Sequence, residues 1–263
     1  MAPIRKPTLA VYKFSSCDGC QLSLLNMEDE LLELAENVEI AFFLEARRRI
    51  QPGPYDIGLV EGSISTRGEI DRIKEIKQDC RVLIALGTCA TSGGVQALRN
   101  FGDLESFTQS VYPHPEYIHA LPSSSPINEH VQVDIELWGC PVSKNQVLEV
   151  IAAQLHMRRP ILPGYSVCLE CKRRGNTCVI VASGSSCLGP ITRAGCGAIC
   201  PSVNRGCYGC FGPLQEAEID AMIPVLKATE QYAGEAVNLL RTISGNAPEF
   251  REAVETLLGA EEI

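Results

Sequence analysis

Short apolar runs alternate with amphipathic stretches through about residue 159 of the chain. Such alternation is typical of βαβ units, in which each strand of a parallel sheet is followed by a helix. The runs that predict strands are TLAVYKF (8–14), VEIAFFLEA, DIGLVEGSI, RVLIALGTC and VQVDIELWGC. About five strands of this kind predict an α/β fold with a flavodoxin-like open parallel sheet.

The segments between these runs carry apolar residues at helical spacing. The predicted helices are CQLSLLNMEDELLELAE, RGEIDRIKEIKQDC, a short one at GVQALRNF, and SKNQVLEVIAAQLHMR. The first of them is expected to be one continuous helix with an apolar face made of Leu24, Leu25, Leu31, Leu32 and Leu34.

The pattern changes at Arg159, where RPILPGYS is typical of a linker rich in Pro and Gly. Residues 168–210 then contain eight of the thirteen cysteines with little periodicity, and helical periodicity returns after Pro213. We therefore predict a flavodoxin-like domain over residues 1–159, a loop-rich cysteine domain over 160–213 and a helical tail over 214–263. The tail carries ten acids and three bases, a net charge of −7 that is typical of a solvated helical surface.

Composition narrows the class of protein further. The 263 residues are 45% apolar with a net charge of −9, which disfavours nucleic acid as the main partner. No window of 18 residues is continuously apolar, and the first residues lack a signal peptide's apolar core, so we expect neither a membrane span nor export. The expected location is the reducing cytoplasm, where thirteen thiols stay reduced unless they bind metal.

The eight C-terminal cysteines divide by spacing into two groups of four. The groups are Cys168, Cys171, Cys178 and Cys187, and Cys196, Cys200, Cys207 and Cys210. Each has the stoichiometry of a four-thiolate metal site and a single CxxC pair, which favours an iron–sulfur cluster; zinc is the alternative, since its structural sites usually combine two such pairs. The segment's net charge of +4 also suits two clusters, because an oxidised four-iron cluster with its thiolates carries about −2.

Four N-terminal cysteines follow predicted strands. Cys17 and Cys20 come just after the first strand, Cys89 lies at the end of another, and Cys140 follows the last. Because the carboxyl ends of parallel strands meet in one crevice, these four thiols are expected to converge there. The alternative is buried cysteines without a ligand.

One cysteine remains outside the three groups of four. Cys80 lies at a predicted helix-to-strand junction and is interpreted as a buried or partly buried structural thiol.

The spaced motifs resemble those of the small, electron-transferring subunit of nickel–iron hydrogenases over residues 8–213. They are SCDGCQLSLL, ALGTCA, WGCP, CLECKRRGNTC and CLGPITRAGCGAICPSVNRGCYGCFGP. Within that family the chain is most similar to the soluble cytoplasmic branch, the delta-type subunits of NADP-linked sulfhydrogenases. The resemblance implies a hydrogenase oxidoreductase in which this chain transfers electrons and contributes no catalytic residue.

The resemblance also implies a role for each group of cysteines. Cys17, Cys20, Cys89 and Cys140 would hold the proximal cluster; Cys196, Cys200, Cys207 and Cys210 the medial one; and Cys168, Cys171, Cys178 and Cys187 the distal one. The membrane-bound branch has histidine where this chain has Cys168, and proline where it has Cys200. Three 4Fe-4S clusters are therefore expected. Glu61 and Gly62 either line the proximal pocket or belong to an ordinary loop.

The implied partners are a large subunit with the nickel–iron centre and diaphorase-type subunits with flavin and iron–sulfur clusters. Electrons would pass through this chain to an NAD(P)-linked flavin subunit; the alternative is a deazaflavin reductase or a heterodisulfide reductase. Two other hypotheses stay open. The first is a quinone-reductase subunit of the complex I type, which shares the N-terminal fold. Its motif has two adjacent cysteines, whereas two residues separate Cys17 from Cys20 in this chain. A zinc-stapled interaction protein would lack sulfide.

Overall fold

The structure, a computed structural model, describes residues 5–232 and 234–259. Residues 1–4, 233 and 260–263, which belong to the predicted segments 1–159 and 214–263, lie outside the described residues. None of the described helices is both long enough and apolar enough to cross a lipid bilayer.

A five-stranded parallel sheet forms the first half of the chain. Its strands are β1 (Thr8–Lys13), β2 (Glu39–Phe43), β3 (Tyr55–Glu61), β4 (Cys80–Leu86) and β5 (Ile135–Leu137). They lie in the order β2-β1-β3-β4-β5, and every pair is parallel. This is the flavodoxin-like order, so the predicted fold class is confirmed.

Helices cover both faces of the sheet and continue through the rest of the chain. They are α1 (Gly19–Leu25), α2 (Asp29–Asn37), α3 (Arg67–Asp79), α4 (Gly87–Ser92), α5 (Leu104–Val111), α6 (Lys144–Leu155), α7 (Val167–Arg173), α8 (Val179–Ser183), α9 (Ile199–Ser202), α10 (Ile219–Ala228), α11 (Glu235–Leu240) and α12 (Pro248–Gly259). The short helix predicted at GVQALRNF is a 3-10 helix over Gly94–Phe101.

Two apolar layers enclose the sheet. One contains residues of α1, α2 and α6 packed on Leu59 and Leu86, and the other contains residues of α3 packed on Val60 and Leu83. Because side chains of a strand alternate between faces, neighbouring residues of β3 serve opposite layers.

Two predicted elements differ from the observed ones for identifiable reasons. The first predicted helix is broken into α1 and α2 at Glu28, whose φ is 50°, so Leu32 is 68% exposed instead of facing the core. The last predicted strand shrinks to β5 because Asp134, just before it, turns its carboxylate to the backbone N–H of Leu83, with N and Oδ2 2.8 Å apart.

The acidic tail is only partly the solvated surface that its charge predicts. Its helix α12 buries Phe250 and Val254 in an apolar cluster that also contains Leu188 of the cysteine-rich segment, whereas Glu252 and Glu255 are exposed. Ser244 also donates from Oγ to the carbonyl oxygen of Gly209 at 2.9 Å. The tail therefore covers part of the cysteine-rich segment with its inner face.

Candidate functional site

The first thiol group consists of Cys17, Cys20, Cys89 and Cys140. Its members follow β1, β4 and β5, and Cys89 lies inside α4 rather than at the end of a strand. Burial raises the pKa of the Cys89 thiol to about 12, and the negative charges of Cys140 and Cys17 add to that shift. Burial likewise raises the pKa of Cys20, with contributions from Glu61, Cys89 and Cys140. The charges of neighbouring members of this group thus bear on the pKa values of Cys20 and Cys89.

Glu61 supports this group from the end of β3. Its carboxylate is 1% exposed and accepts the backbone N–H of Cys20 at Oε1 (3.0 Å) and that of Gln21 at Oε2 (3.2 Å). Burial raises the pKa of the carboxyl, and the two amide donors oppose the rise. Of the two alternatives that the sequence allows, the structure places Glu61 beside the first thiol group, where it holds the start of α1.

Gly87 leads β4 into α4 at a point where no other residue fits. Its φ is +82°, in the left-handed region that favours glycine. A Cβ at this position would collide with Cys20 Sγ and lie 3.2 Å from the carbonyl oxygen of Gly139. Close packing of these backbones brings Cys20, Cys89 and Cys140 together.

The second thiol group consists of Cys196, Cys200, Cys207 and Cys210, and its members are buried or half-buried. Burial raises the pKa of Cys210 to about 12, with the charges of Cys196, Cys140 and Cys200 adding to it. The Sγ of Cys207, whose residue is 5% exposed, accepts the backbone N–H of Gly209 at 3.4 Å. Such amide donors stabilise negative charge on sulfur and tune a bound cluster.

The third thiol group consists of Cys168, Cys171, Cys178 and Cys187. Cys168 and Cys171 lie on α7, and Cys178 immediately precedes α8 and is exposed. Burial raises the pKa of Cys168, and the charges of Cys187, Cys171 and Cys178 add to the shift. The thiols of Cys168 and Cys187 lie close together, since a Cβ added at Gly189 would be 3.6 Å from the first sulfur and 3.3 Å from the second.

Two hydrogen bonds connect the three groups. The hydroxyl of Thr88, next to Cys89 of the first group, donates to the carbonyl oxygen of Cys210 in the second, with Oγ1 and O 2.6 Å apart. The backbone N–H of Cys207, in the second group, donates to Sγ of Cys187 in the third, with N and Sγ 3.1 Å apart. The second group thus lies between the other two.

A carboxylate that the sequence does not reveal connects the second and third groups. Glu170, on α7 between two members of the third group, accepts the backbone N–H groups of Gly195 and Gly197, each with N and O 3.0 Å apart. These glycines flank Cys196. In the sequence Glu170 is a single acid among cations, and no spacing signals its partners.

The three thiol groups consist of cysteines, whose thiolates are ligands for zinc and for iron–sulfur clusters. Thiolate, not thiol, is the ligand form, and burial disfavours it until a cation is bound. Over residues 5–232 and 234–259, no group of three or more His, Cys, Asp and Glu side chains is placed so that it could hold a metal ion.

Cys80 is buried as predicted, at the start of β4 and 5% exposed. It belongs to the apolar layer that contains Tyr12, Tyr55 and Leu83. Burial raises the pKa of its thiol to about 12, so almost none of it is thiolate at neutral pH.

We expect the substitution Cys80→Ala to leave the iron and sulfide content unchanged and to lower the free energy of unfolding by only about 1 kcal/mol. The native thiol should also resist iodoacetamide, because the thiolate is the reactive form. Metal analysis and mass spectrometry after alkylation check both results. Loss of iron from this variant would contradict the division of the cysteines into three groups and one structural thiol.

Comparison with known proteins gives consistent matches. Residues 17–154 match the family described as NADH ubiquinone oxidoreductase, 20 Kd subunit. The chain is 36% identical over 219 residues to the delta subunit of sulfhydrogenase 2 of Pyrococcus furiosus, a match that covers 83% of this chain and 92% of that protein. It is 34% identical over 238 residues to a vhu subunit of the F420-non-reducing hydrogenase of Methanocaldococcus jannaschii, a match that covers 78% of this chain and 83% of that one.

Solved structures agree with these relatives. A chain of an NAD+-reducing NiFe-hydrogenase in the H2-reduced state is 27% identical, with a TM-score of 0.55 over 60% of this chain and 96% of that one. A chain of the actinobacterial-type NiFe-hydrogenase from Ralstonia eutropha H16 has the same fold, with a TM-score of 0.59 at 17% identity over 99% of this chain and 92% of that one.

Proposed function

The chain belongs to the NADH ubiquinone oxidoreductase 20 Kd subunit family and is the small subunit of a nickel–iron hydrogenase, and from this premise we propose that it relays electrons through three 4Fe-4S clusters. The relay would connect the nickel–iron site of the large subunit with an NAD(P)-linked flavin subunit in the cytoplasm. The observation that carries the proposal is that neighbouring thiol groups are in contact: Thr88, beside Cys89, donates to the carbonyl oxygen of Cys210, and the N–H of Cys207 donates to the sulfur of Cys187.

The residues proposed to hold each cluster are the members of one thiol group. The first group would hold the proximal cluster, the second the medial cluster and the third the distal cluster. Such clusters, when bound, take up and release single electrons. The chain's own contribution is to hold thiolates in buried sites, to donate amide N–H groups to their sulfurs, and to keep water from the middle site.

The nature of the acceptor rests on relatives that differ in this respect. A 30% identical relative from Cupriavidus necator is the delta subunit of an NAD-reducing hydrogenase, which favours nicotinamide coupling through flavin and diaphorase-type subunits. A relative from Methanococcus voltae, 30% identical over 165 residues, is the gamma subunit of a coenzyme F420 hydrogenase, which favours the second candidate in its deazaflavin form. The F420-non-reducing hydrogenase relatives do not favour a deazaflavin acceptor and leave the heterodisulfide reductase as the other form of that candidate.

Two measurements test the proposal. The native complex, purified without oxygen, should contain about twelve iron and twelve sulfide per copy of this chain beyond those of its partners, if three four-iron clusters are present. It should also reduce NADP+, NAD+ or a viologen dye with hydrogen as the donor. Zinc without sulfide in this chain would overturn the electron-relay proposal, and dye reduction without nucleotide reduction would select the second candidate.

A further inference from the structure

A buried hydroxyl lies where the first and second thiol groups meet. Thr88 occupies the first turn of α4, immediately before Cys89, and is 1% exposed. Its Oγ1 donates to the carbonyl oxygen of Cys210 at 2.6 Å and accepts the backbone N–H of Gly139 at 3.1 Å. Its own backbone N–H donates to the carbonyl oxygen of Gly139 at 2.9 Å. One residue thus connects three segments of the chain.

Each of these segments carries a member of a thiol group. Cys89 follows Thr88 directly, and Cys140 follows Gly139 directly. The carbonyl oxygen of Cys210 itself accepts the hydrogen bond from the Thr88 hydroxyl. Cys89 and Cys140, which follow strands of the sheet, belong to the first thiol group. Cys210, in the cysteine-rich segment, belongs to the second. Thr88 is therefore bonded across the junction between the segment of Cys140 and the segment of Cys210.

The chemistry of this position requires a hydroxyl. A serine or threonine hydroxyl donates one hydrogen bond while accepting another, and a methyl group of the same size does neither. Removing the hydroxyl would leave the buried N–H of Gly139 without this acceptor and the carbonyl of Cys210 without this donor, so the two segments would lose their fixed separation. The bond from Thr88 to Cys210 joins α4, which follows the sheet strand β4, to the cysteine-rich segment 122 residues along the chain.

We propose that Thr88 is a positioning residue that fixes the first cluster site against the second and thereby sets the rate of electron exchange between them. This inference rests on the proposed function, because it presumes that both groups hold clusters. It assigns a role to a residue that is neither a cluster ligand nor a catalytic residue. The expected consequence is a change at one junction only, with the third site unaffected.

The test uses the complete complex, purified without oxygen, with two pairs of variants that differ in the hydroxyl. Thr88→Val compared with the native protein removes the hydroxyl at nearly constant volume, and Thr88→Ala compared with Thr88→Ser removes it from a smaller side chain. Thr91→Val is the matched control. Thr91 lies on the same helix and is 4% exposed, but its Oγ1 donates only to the carbonyl oxygen of Gly87 at 3.2 Å.

Three readouts are compared in each protein. The first is the iron and sulfide content, and the second is the magnetic coupling between the reduced first and second clusters, measured by electron paramagnetic resonance. The third is the rate at which the second cluster is reduced after rapid mixing with hydrogen. We expect Thr88→Val to keep its iron and sulfide, to show altered coupling, and to reduce the second cluster about tenfold more slowly. Thr88→Ser and Thr91→Val should match the native protein in all three readouts.

Several outcomes would overturn the inference. Unchanged coupling and unchanged reduction rate in a fully loaded Thr88→Val protein would do so. If Thr88→Val loses its clusters, the comparison of Thr88→Ala with Thr88→Ser decides: equal coupling and rates overturn the inference, and a difference supports it. Loss of clusters from both valine and alanine variants would also overturn it, since the hydroxyl would then serve folding in general. A native chain without iron and sulfide refutes the proposed function instead.

Discussion

Replacing Cys207 by serine is expected to lower hydrogen-dependent reduction of any acceptor by about 100-fold or more, because the middle site of the relay is lost. Cys207 is 5% exposed, its sulfur accepts the N–H of Gly209, and its own N–H donates to the sulfur of Cys187. A serine hydroxyl does not ionise at neutral pH, so it cannot replace the thiolate ligand. The measurement is acceptor reduction by the native complex with hydrogen in excess.

Metal analysis provides the control for this variant. Iron and sulfide attributable to this chain should fall from about twelve to about eight each, while Cys80→Ser keeps the native content. Exchange of hydrogen with deuterium should persist, because hydrogen splitting belongs to the large subunit in the proposed function. Full acceptor reduction by a Cys207→Ser protein that lacks four irons would contradict the linear relay.

Replacing Gly87 by alanine is expected to destabilise the sheet domain by about 3 kcal/mol or more and to prevent assembly of the first cluster. The residue has a φ of +82°, which costs an alanine about 1–3 kcal/mol of strain. The new methyl group would also collide with the sulfur of Cys20, and overpacking of this kind costs about 1–3 kcal/mol more. Denaturant unfolding and the paramagnetic signal of the reduced first cluster measure the two effects.

Gly234 offers a matched control for the strain alone. Its φ is +76°, and a Cβ added there meets nothing within 4 Å. Gly234→Ala should therefore cost about 1 kcal/mol and keep the full iron content. Equal iron content in the two variants would show that the methyl group at position 87 does not disturb Cys20.

The sheet is predictable from local sequence, and the same pattern yields the prediction of the first thiol group. Alternating apolar runs specify parallel strands, the carboxyl ends of parallel strands lie at one edge, and thiols placed after strands must meet there. The same argument explains why Cys80, at the opposite end of its strand, stays outside every group. These predictions depend only on features within a few residues of each cysteine.

The features that the sequence does not determine depend on segments that meet only in the folded protein. Glu61 fits either a pocket or an ordinary loop in the sequence, because its amide partners belong to a helix that follows another strand. Glu170 and Thr88 give no signal, since their partners lie far along the chain. The break at Glu28 is not predicted because a left-handed residue within an otherwise helical pattern leaves the periodicity nearly intact.

The exposure of the thiols differs between the outer two groups and the second group. Cys17 is exposed at one end and Cys178 at the other, whereas the second group between them is buried or half-buried and the inner face of the tail packs over its segment. In the proposed function, electrons would enter and leave at these two ends, and partner subunits would cover them. In an unassembled copy of this chain, dissolved oxidants would reach the first and third groups through Cys17 and Cys178 first, and the second group would be oxidised last.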